Sequence, residues 1–483
     1  MKSSLYIACL SLARAFGPKS LQTRLRARRF YVAQPGKKVA FDQEEQNSSS
    51  SSSSWNGRLI VHWKGEGVEG YSMQFRHWEF AGALEAVAGS QLLRHIGPLE
   101  FHNALDYAGL ADMPTPKLLR FNAAMQYLDM DKFAGNVPLA QFIRAAKRCS
   151  LVHALYLAVA DGHTYDDLAA MALQNGGFDD MRPGQGNQDA KWDVRVREYS
   201  GIGTEKERRH GDRTRSVSSE KEALTALAPL LRTFGGGVDL KNPDCKIYVM
   251  NGMKGDRSKV LARRVAVGPR ISVMAPVTRL CVTNTPLCPI AAYTMCNVAS
   301  IRANQYILDP YGGSCAILLA AALIENSIKS VSIEIAHNGL VNRFDIRRDF
   351  SSRNLPQPLD LLRGDCTDPT MRDLAREVTR GQPFDHIITD PPYGIRESTN
   401  YQELTPIQEL LRMIAHDREK GTPLLKVGGR LVVFIPCRAD QDLYNVMPNN
   451  EELEQAGLVP CGLREQPLNE SLSRWLACFE CVR

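Results

Sequence analysis

The chain has 483 residues, of which 44% are hydrophobic, and a formal net charge of +6. This length accommodates two or three domains with cores of their own, and no apolar run approaches the roughly 20 residues that a membrane-spanning helix needs. The first 41 residues hold nine Lys and Arg and no acid, and without them 50 of the 59 basic residues remain against 53 acidic ones. A nucleic acid would therefore be bound through a local basic patch and not through the overall charge.

The twelve cysteines are scattered, and only Cys478 and Cys481 form a CxxC pair. A second pair at metal-ligand spacing is missing, and the pair lies in the apolar stretch WLACFECV. This context favours core packing over zinc binding, and we predict no metal site. Scattered cysteines are typical of a reducing compartment.

Residues 1–57 are predicted to be a basic presequence or a disordered tail. An apolar stretch after Lys2 is followed by the arginine-rich TRLRARRFY, a texture typical of organelle targeting peptides. The alternative is an untargeted basic tail. The unbroken serine run Ser48–Ser54 predicts a flexible linker before the first domain.

Residues 58–268 show a mixed α+β pattern without a parallel repeat. A strand is predicted at RLIVHW, a helix with one apolar face at HWEFAGALEAVA, a strand at WDVRVREYS, and a strand pair in CKIYVM and VLARRVAVG. The stretch EKERRHGDRTRSVSSEKEA is predicted to be a charged, mobile segment.

Residues 269–483 alternate between short strands and helices. Strands are predicted at 305–308, 330–335, 359–365, 384–390 and 429–436, with a helix capped by Asp368 and started by Pro369 before the fourth of them. Two last strands, LVPCGLRE and RWLACFECV, are close enough to pair antiparallel. This alternation predicts an α/β domain with a doubly wound, mostly parallel, Rossmann-like sheet.

Three acids fall at the ends of the first three predicted strands, where such sheets bind ligands. Asp309 opens the turn DPYGG, which has too few glycines and no lysine for a phosphate cradle but suits an ammonium group. Glu334 stands where a carboxylate binds ribose hydroxyls, and Asp365 where one accepts from an adenine amine. Amino-acid end, ribose and adenine in this order describe S-adenosylmethionine better than NAD.

The fourth predicted strand ends in Asp390-Pro391-Pro392-Tyr393. Two prolines fix φ and remove two backbone donors, so the neighbouring carbonyls and the Asp390 carboxylate form a rigid set of acceptors. This set suits a planar NH₂ group, and Tyr393 offers a face on which a base can stack. The motif therefore predicts methyl transfer to the exocyclic amine of a nucleobase, by positioning and electrostatics.

These motifs resemble a known family. DPPY at the fourth strand, with a DPxxG turn at the first, is similar to the class I methyltransferases that modify exocyclic amines. The longer string IITDPPYGIREST resembles the catalytic subunits of the tRNA (guanine-10-N2)-methyltransferases, and residues 58–268 resemble, more diffusely, their THUMP-containing half. The resemblance implies a methyltransferase domain over 269–483, S-adenosylmethionine as cofactor and the N2 amine of a tRNA guanosine, at position 10, as target.

The resemblance also implies roles for individual residues. Asp309, Tyr311, Gly313, Glu334 and Asp365 would bind the cofactor, and Asp390, Pro391, Pro392 and Tyr393 would hold the guanine. THUMP-type domains are similar in binding the acceptor end of tRNA, and the basic candidates for RNA contact are Arg144, Lys147, Arg148, Arg208, Arg209 and Arg396. The alternative for each basic cluster is a solvated face or a local salt bridge. The family further implies a small zinc-binding activator subunit and a cytoplasmic location.

One departure leaves alternatives open. Where the family has a second glycine after the turn, this chain has Cys315. If that position needs a positive φ, the cysteine costs about 1 kcal/mol. The alternatives are an rRNA guanine-N2 or a nucleic-acid adenine-N6 methyltransferase, or a catalytically weakened RNA-binding homologue.

Overall fold

The computed structural model describes residues 58–64, 75–89, 99, 101–103, 125–128, 137–198, 217–252, 258–283, 286–336, 341–393 and 404–483. All of these belong to one compact unit that begins at Ser54. The predicted tail, 1–57, lies outside the described residues. Within the described ranges, none of the helices combines the length and the apolarity that a membrane crossing needs.

The first half of the described chain forms a seven-stranded sheet in the order β2-β3-β1-β4-β7-β6-β5. All of its pairs are antiparallel except β5 with β6. Its strands are β1 (Arg58–Trp63), β2 (Phe101–Asn103), β3 (Met125–Leu128), β4 (Val152–Gly162), β5 (Trp192–Glu198), β6 (Cys245–Asn251) and β7 (Lys259–Val267). Its helices are α1 (Arg76–Ala88), α2 (Leu139–Arg148), α3 (Tyr165–Asn175) and α4 (Val217–Leu231). The predicted strands RLIVHW and WDVRVREYS and the strand pair are thus confirmed.

The stretch predicted to be charged and mobile is partly helical. Its last seven residues, VSSEKEA, open α4, and the preceding residues lie outside the described ranges. Ala223, Leu227 and Leu230 of this helix are buried against α3 and the first sheet. The spacing of four and three residues places these side chains on one helical face, which explains why tertiary packing outweighs the charged sequence.

The second half forms a seven-stranded sheet in the order β10-β9-β8-β11-β12-β14-β13. Its strands are β8 (Tyr306–Asp309), β9 (Lys329–Glu334), β10 (Asp360–Arg363), β11 (Phe384–Thr389), β12 (Leu425–Arg438), β13 (Leu458–Asn469) and β14 (Leu472–Cys481). The first five are parallel, and β14 is antiparallel to both β12 and β13. In sequence order the strands run 3-2-1-4-5-7-6, so that the order reverses between the first and the fourth strand. The predicted doubly wound sheet with an antiparallel end is confirmed.

Helices cover both faces of this second sheet. They are α5 (Pro289–Val298), α6 (Ala316–Ile324), α7 (Arg343–Ser351), α8 (Pro369–Val378), α9 (Pro406–Glu419), α10 (Leu443–Val446) and α11 (Asn450–Ala456). The first three pack on one face with Ile388 and Val432, and α8, α9 and α11 pack on the other with Ile387 and Leu431. Asp368 caps α8 by accepting from the Thr370 amide at 2.8 Å, as predicted.

The two sheets share a core and a polar seam between α1 and the second half. The core around Phe80 and Phe142 is continuous with that of α5 and α6. At the seam, the buried Glu79 accepts from the amides of Ser150 and Leu151 at 2.7 and 2.9 Å and from Asn297 Nδ2 at 3.1 Å. Burial raises the pKa of Glu79, and these bonds satisfy its carboxylate. They also fix α1 against α5.

Candidate active site

The four predicted acids lie at the carboxyl ends of four adjacent parallel strands. Asp309 ends β8 and Glu334 ends β9, while Asp390 directly follows β11 and Asp365 comes two residues after β10. In the sheet these strands stand in the order β10-β9-β8-β11. Carboxyl ends of parallel strands meet at one edge of the sheet. The structure therefore brings Asp365, Glu334, Asp309 and Asp390 together in a row along that edge.

Asp309 is the most buried of the four, at 1% exposed. Its Oδ1 accepts from Thr389 Oγ1 at 2.7 Å and from the Tyr311 amide at 3.3 Å. Burial raises the pKa of Asp309 to about 7, against the effect of these hydrogen bonds and with a further upward contribution from Asp390 and Glu334. The bond from Thr389 also ties the end of β11 to the end of β8. A cationic group placed beside Asp309 would restore its negative charge at neutral pH.

The turn after Asp309 is held by backbone and by Glu334. The Gly312 amide donates to the Ile333 carbonyl at 2.9 Å, and the Gly313 amide donates to Glu334 Oε2 at 2.6 Å. A β carbon on Gly312 would lie 1.7 Å from Ser332 Oγ, so a larger residue there would require the Ser332 side chain to move. The other oxygen of Glu334 accepts from the Ala336 amide at 2.7 Å. Glu334, predicted as a ribose ligand, thus already fixes the turn, with one further lone pair on each oxygen.

Cys315 follows this turn at φ +57° and ψ +36°, as the N-cap of α6. Cys315 therefore has the positive φ on which its energetic cost depends. A residue with a β carbon is strained in this region. Burial raises the pKa of the Cys315 thiol to about 12, so the side chain is a neutral part of the core.

Two residues that the sequence analysis missed hold the turn from the other side. Arg279 Nη1 donates to Ser314 Oγ at 3.1 Å, and its Nη2 donates to the Ser314 carbonyl. Asp349 of α7 accepts from the amides of Leu280 and Cys281 at 2.8 and 3.3 Å and lies 3.5 Å from Arg279 Nε. The segment before α5 is thereby fixed to the glycine turn.

A small cleft, open to solvent, lies beside the ends of β9 and β10 and the turn that follows β8. Of the predicted cofactor residues, Gly313 and Glu334 line this cleft. Ser332, Arg343 and Arg363 line it as well. Asp365 is exposed near the end of β10, where its Oδ1 accepts from the Thr367 amide at 2.9 Å. The Tyr311 side chain does not line this cleft and packs against the core on the α8 and α9 face of the sheet.

Asp390 and Tyr393 form a hydrogen-bonded group with a third residue, Arg474. The Tyr393 hydroxyl donates to Asp390 Oδ1 at 2.6 Å, and Arg474 Nη1 lies 3.2 Å from Asp390 Oδ2 and 3.0 Å from the Tyr393 oxygen. Burial raises the pKa of Asp390, while Arg474 and the tyrosine hydroxyl oppose this. Pro391 is buried and Pro392 half-buried, and the Asp390 side chain remains 20% exposed. The motif thus presents a rigid and partly accessible carboxylate.

The predicted RNA-binding residues fall into three groups. Arg144 and Lys147 are exposed on α2. Arg148 on the same helix donates from Nη2 to the Ile301 carbonyl at 2.7 Å, so a bond between the two halves of the chain explains its position. Arg208, Arg209 and Arg396 lie outside the described residues.

Cys478 and Cys481 are both buried in the core of the second sheet, one on each face. Among the described residues, no three His, Cys, Asp or Glu side chains are close enough together to hold a metal ion.

In sequence, the chain resembles known RNA guanine-N2 methyltransferases. It is 26% identical over 283 residues to the tRNA (guanine(10)-N(2))-methyltransferase TRMT11 of Xenopus laevis, covering 52% of this chain and 58% of the relative. It is 29% identical over 293 residues to TRMT11 of Mus musculus, covering 52% and 61%, and 25% identical over 222 residues to the U6 snRNA (guanine-N(2))-methyltransferase THUMPD2 of Mus musculus, covering 46% and 36%. The chain thus spans about three fifths of the length of the TRMT11 relatives. No protein-family model matches it.

Among solved structures, the chain matches TrmN from Thermus thermophilus, at 18% identity and a TM-score of 0.36, covering 88% of this chain and all of that one. A second is SMU.776, a putative methyltransferase complexed with SAH, at 15% identity and a TM-score of 0.30, covering 54% and 66%.

Proposed function

We propose that this protein transfers a methyl group from S-adenosylmethionine to the exocyclic N2 amine of a guanosine in tRNA, with position 10 as the expected site. The observation that carries the proposal is the row of acids along one sheet edge, which ends in the rigid Asp390-Pro-Pro-Tyr393 group. The sequence similarity to proteins named tRNA (guanine(10)-N(2))-methyltransferase supports it. Asp365, Glu334 and Asp309 stand in the order that adenine, ribose and the amino-acid end of this cofactor require.

The residues present fit such a cofactor. The buried Asp309, at the carboxyl end of β8, would hold the cofactor ammonium, and the backbone of the glycine turn allows close approach because a β carbon is absent at Gly312 and Gly313. Glu334 lines the cleft and would accept from the ribose, and the exposed Asp365 would accept from the adenine amine. When bound, S-adenosylmethionine supplies a methyl group on a sulfonium cation.

The target amine would lie against Asp390. A guanine N2 lone pair is delocalised into the ring, which makes the amine a weak nucleophile. Acceptors that bind both of its N–H groups favour a pyramidal nitrogen with its lone pair available, and the Asp390 carboxylate with the carbonyls near Pro391 supplies such acceptors. Tyr393 would support the base. Catalysis then rests on orientation and preorganised charge, and the methylated amine loses its proton readily.

The RNA would be held by exposed basic side chains of the first half. Arg144 and Lys147 on α2 are the candidates among the described residues, and Arg208, Arg209 and Arg396 remain predictions. A guanine in a stem pairs through its N2 amine, so it must leave the helix first, at a cost of a few kcal/mol. We further propose that a small zinc-binding activator subunit joins the methyltransferase half and that the enzyme works in the cytoplasm, with an organelle as the alternative.

A second candidate is the same reaction on another RNA. The similarity to a protein named U6 snRNA (guanine-N(2))-methyltransferase favours a second class of guanine-N2 substrate. A weakened RNA-binding homologue is the third candidate, because Cys315 occupies a strained position in the proposed cofactor turn.

Calorimetry with S-adenosylmethionine and the full chain, with any subunit that copurifies, tests the cofactor. Binding with micromolar affinity supports an enzyme, and its absence overturns the proposal in favour of an RNA-binding homologue. Nucleoside mapping in cells that lack the gene then identifies the substrate. Loss of N2-methylguanosine from tRNA supports tRNA as the target, whereas unchanged tRNA with loss from snRNA or rRNA supports the alternatives.

A further inference from the structure

Arg474 is a buried cation that the sequence motifs leave unassigned. It lies on β14, 81 residues beyond Tyr393 in sequence, with its side chain 7% exposed. Its Nη1 contacts both Asp390 Oδ2 and the Tyr393 oxygen, at 3.2 and 3.0 Å. A single nitrogen of Arg474 therefore bonds to both polar side chains of the group that is proposed to hold the target base.

The Arg474 guanidinium is itself fixed on two further sides. Its Nε donates to Gln466 Oε1 of β13 at 2.8 Å, and its central carbon lies 3.9 Å from the ring centroid of Phe434 on β12. The antiparallel register aligns Arg474 with Pro436 on one neighbour and with Gln466 on the other. Because each strand of the antiparallel end contributes one contact, the cation cannot shift without disturbing the sheet.

The simplest alternative is an ordinary structural ion pair. Two observations argue against it. First, Nη1 of Arg474 bonds to both the acid and the aromatic residue of one short motif, while Gln466 and Phe434 hold the rest of the guanidinium. Second, the contacts leave the acid usable, because each oxygen of Asp390 has one bond from the described residues, to Arg474 or to Tyr393, and a carboxylate oxygen can accept two. A partly exposed carboxylate with one acceptor position left on each oxygen is suited to an incoming amine.

We propose that Arg474 is a positioning residue for methyl transfer: it pairs with the Asp390 carboxylate and holds the Tyr393 hydroxyl, so that both are in place before the target amine arrives. This inference rests on the proposed function. It makes the antiparallel β13–β14 hairpin part of the catalytic apparatus, although the hairpin carries none of the recognised motifs.

The charges around Asp390 explain why a cation is needed there. Among the described residues, the groups that act on it are Arg474 from β14 and Tyr393 from its own loop, and Asp390 in turn raises the pKa of Asp309 at the end of β8. Burial favours a protonated Asp390, and a protonated carboxyl has lost acceptor capacity. Arg474 is the cation among these groups. Removing it should therefore raise the pKa of Asp390 further.

The first experiment compares Arg474→Met, which keeps the stem over Phe434 but removes the charge, with Arg474→Lys, which keeps the charge. Arg464→Met, on an exposed position of the same hairpin, is the matched control. For Arg474→Met we expect kcat on tRNA to fall roughly 10- to 100-fold at pH 7, as for other residues that support a reacting group. We expect S-adenosylmethionine affinity to stay within threefold. The lost rate should partly return by pH 9, and Arg474→Lys should keep more of it.

The pH profile separates positioning from a purely structural role. An acid limb that shifts to higher pH in Arg474→Met supports the proposal. A kcat within threefold of the unmodified protein, or a loss that is equal at every pH and accompanied by weaker cofactor binding, overturns it.

A second measurement keeps the inference testable if tRNA proves to be the wrong substrate. The melting temperatures of Arg474→Met, Asp390→Asn and the double variant are compared in the absence of cofactor and RNA. If Arg474 stabilises the Asp390 carboxylate, the two shifts are clearly non-additive. Additive shifts overturn the inference whatever the substrate, whereas non-additive shifts in a protein that methylates no tRNA overturn only the proposed function.

Discussion

Glu85 of helix α1 and Arg430 of strand β12 form an ion pair across the seam between the two halves. Arg430 Nη2 donates to both carboxylate oxygens of Glu85, at 2.7 and 2.9 Å, while its Nη1 donates to Ser300 Oγ at 2.7 Å. Both side chains are less than a fifth exposed. We expect Glu85→Ala to lower the free energy of unfolding by about 1.5–3 kcal/mol, because it leaves a largely buried guanidinium without its counter-charge. Urea denaturation measures this change.

The matched control for this pair is Lys426→Ala. Lys426 pairs with Asp385 at 3.1 Å but is 59% exposed. Such surface pairs contribute about 0–1 kcal/mol, so this variant should unfold close to the unmodified protein. Equal losses in the two variants would contradict the importance of the seam.

Asp390→Ala should separate binding from transfer. The substitution removes the carboxylate that is proposed to hold the target amine, so we expect methyl transfer to fall by at least about a hundredfold, as for loss of one preorganised electrostatic contact. S-adenosylmethionine affinity should be retained, because the proposed cofactor residues follow other strands. Single-turnover methylation of tRNA and calorimetry on the same preparation check the two halves of this expectation. Near-normal turnover would refute the role assigned to Asp390.

Cofactor binding should depend on pH through Asp309. Its pKa of about 7 means that the carboxyl is largely protonated below neutral pH, whereas the cofactor ammonium requires the anion. We expect the affinity to rise roughly tenfold per pH unit from pH 5 to 7 and to level off above, with about one proton released per cofactor bound in acid. Calorimetry in buffers of different ionisation enthalpy measures that proton. Asp309→Asn should bind weakly and show no such slope.

The raised pKa of Asp309 also makes the stability of the free protein depend on pH, in the direction opposite to cofactor affinity. Since the folded pKa of Asp309 lies above its ordinary value of 3.8, its contribution to stability is full below pH 3.8 and is lost as the pH rises through 7. Without cofactor, Asp309→Asn should therefore gain stability relative to the unmodified protein between pH 5 and 8. A relative loss over that range would contradict the burial that raises the pKa.

The strain at Cys315 can be measured by a pair of variants. Cys315→Gly and Cys315→Ala both remove the sulfur, but only alanine keeps a β carbon at φ +57°. We expect the glycine variant to be the more stable of the two by roughly 1 kcal/mol, the reverse of the usual order in a helix or strand. Thermal unfolding compares them. At Ala316, inside α6, glycine in place of alanine should lower stability, which serves as the control.

The sequence predicted the second sheet well because its signals are local. An apolar run that stops at an acid marks each carboxyl end, and the acids of β8, β9 and β11 fall there. The Asp368–Pro369 helix start is also local and was correct. Arg474 could not be found this way, because its contact with Asp390 depends on the register of β14 against β12, 84 residues further along the chain. The same holds for Arg279 and Asp349, which meet across 70 residues to fix the glycine turn.

The first half was harder to predict because its elements are decided by packing. The charged start of α4 resembles a loop until Ala223, Leu227 and Leu230 are seen against α3. By its spacing, Arg148 is predicted to be one of three exposed cations on a helix. It instead donates to the Ile301 carbonyl, a contact that sequence spacing alone cannot indicate.

Gly82 of α1 limits whether the first half of the chain could be joined to a different second half. A β carbon at this glycine would lie 2.1 Å from the Asn297 carbonyl oxygen, so α1 and α5 touch backbone to backbone. A contact of this kind tolerates neither a larger residue nor a slide of one helix along the other. A chimera that places the first half on a foreign methyltransferase sheet would therefore need the small residue and its facing backbone together, or the graft would lose its alignment.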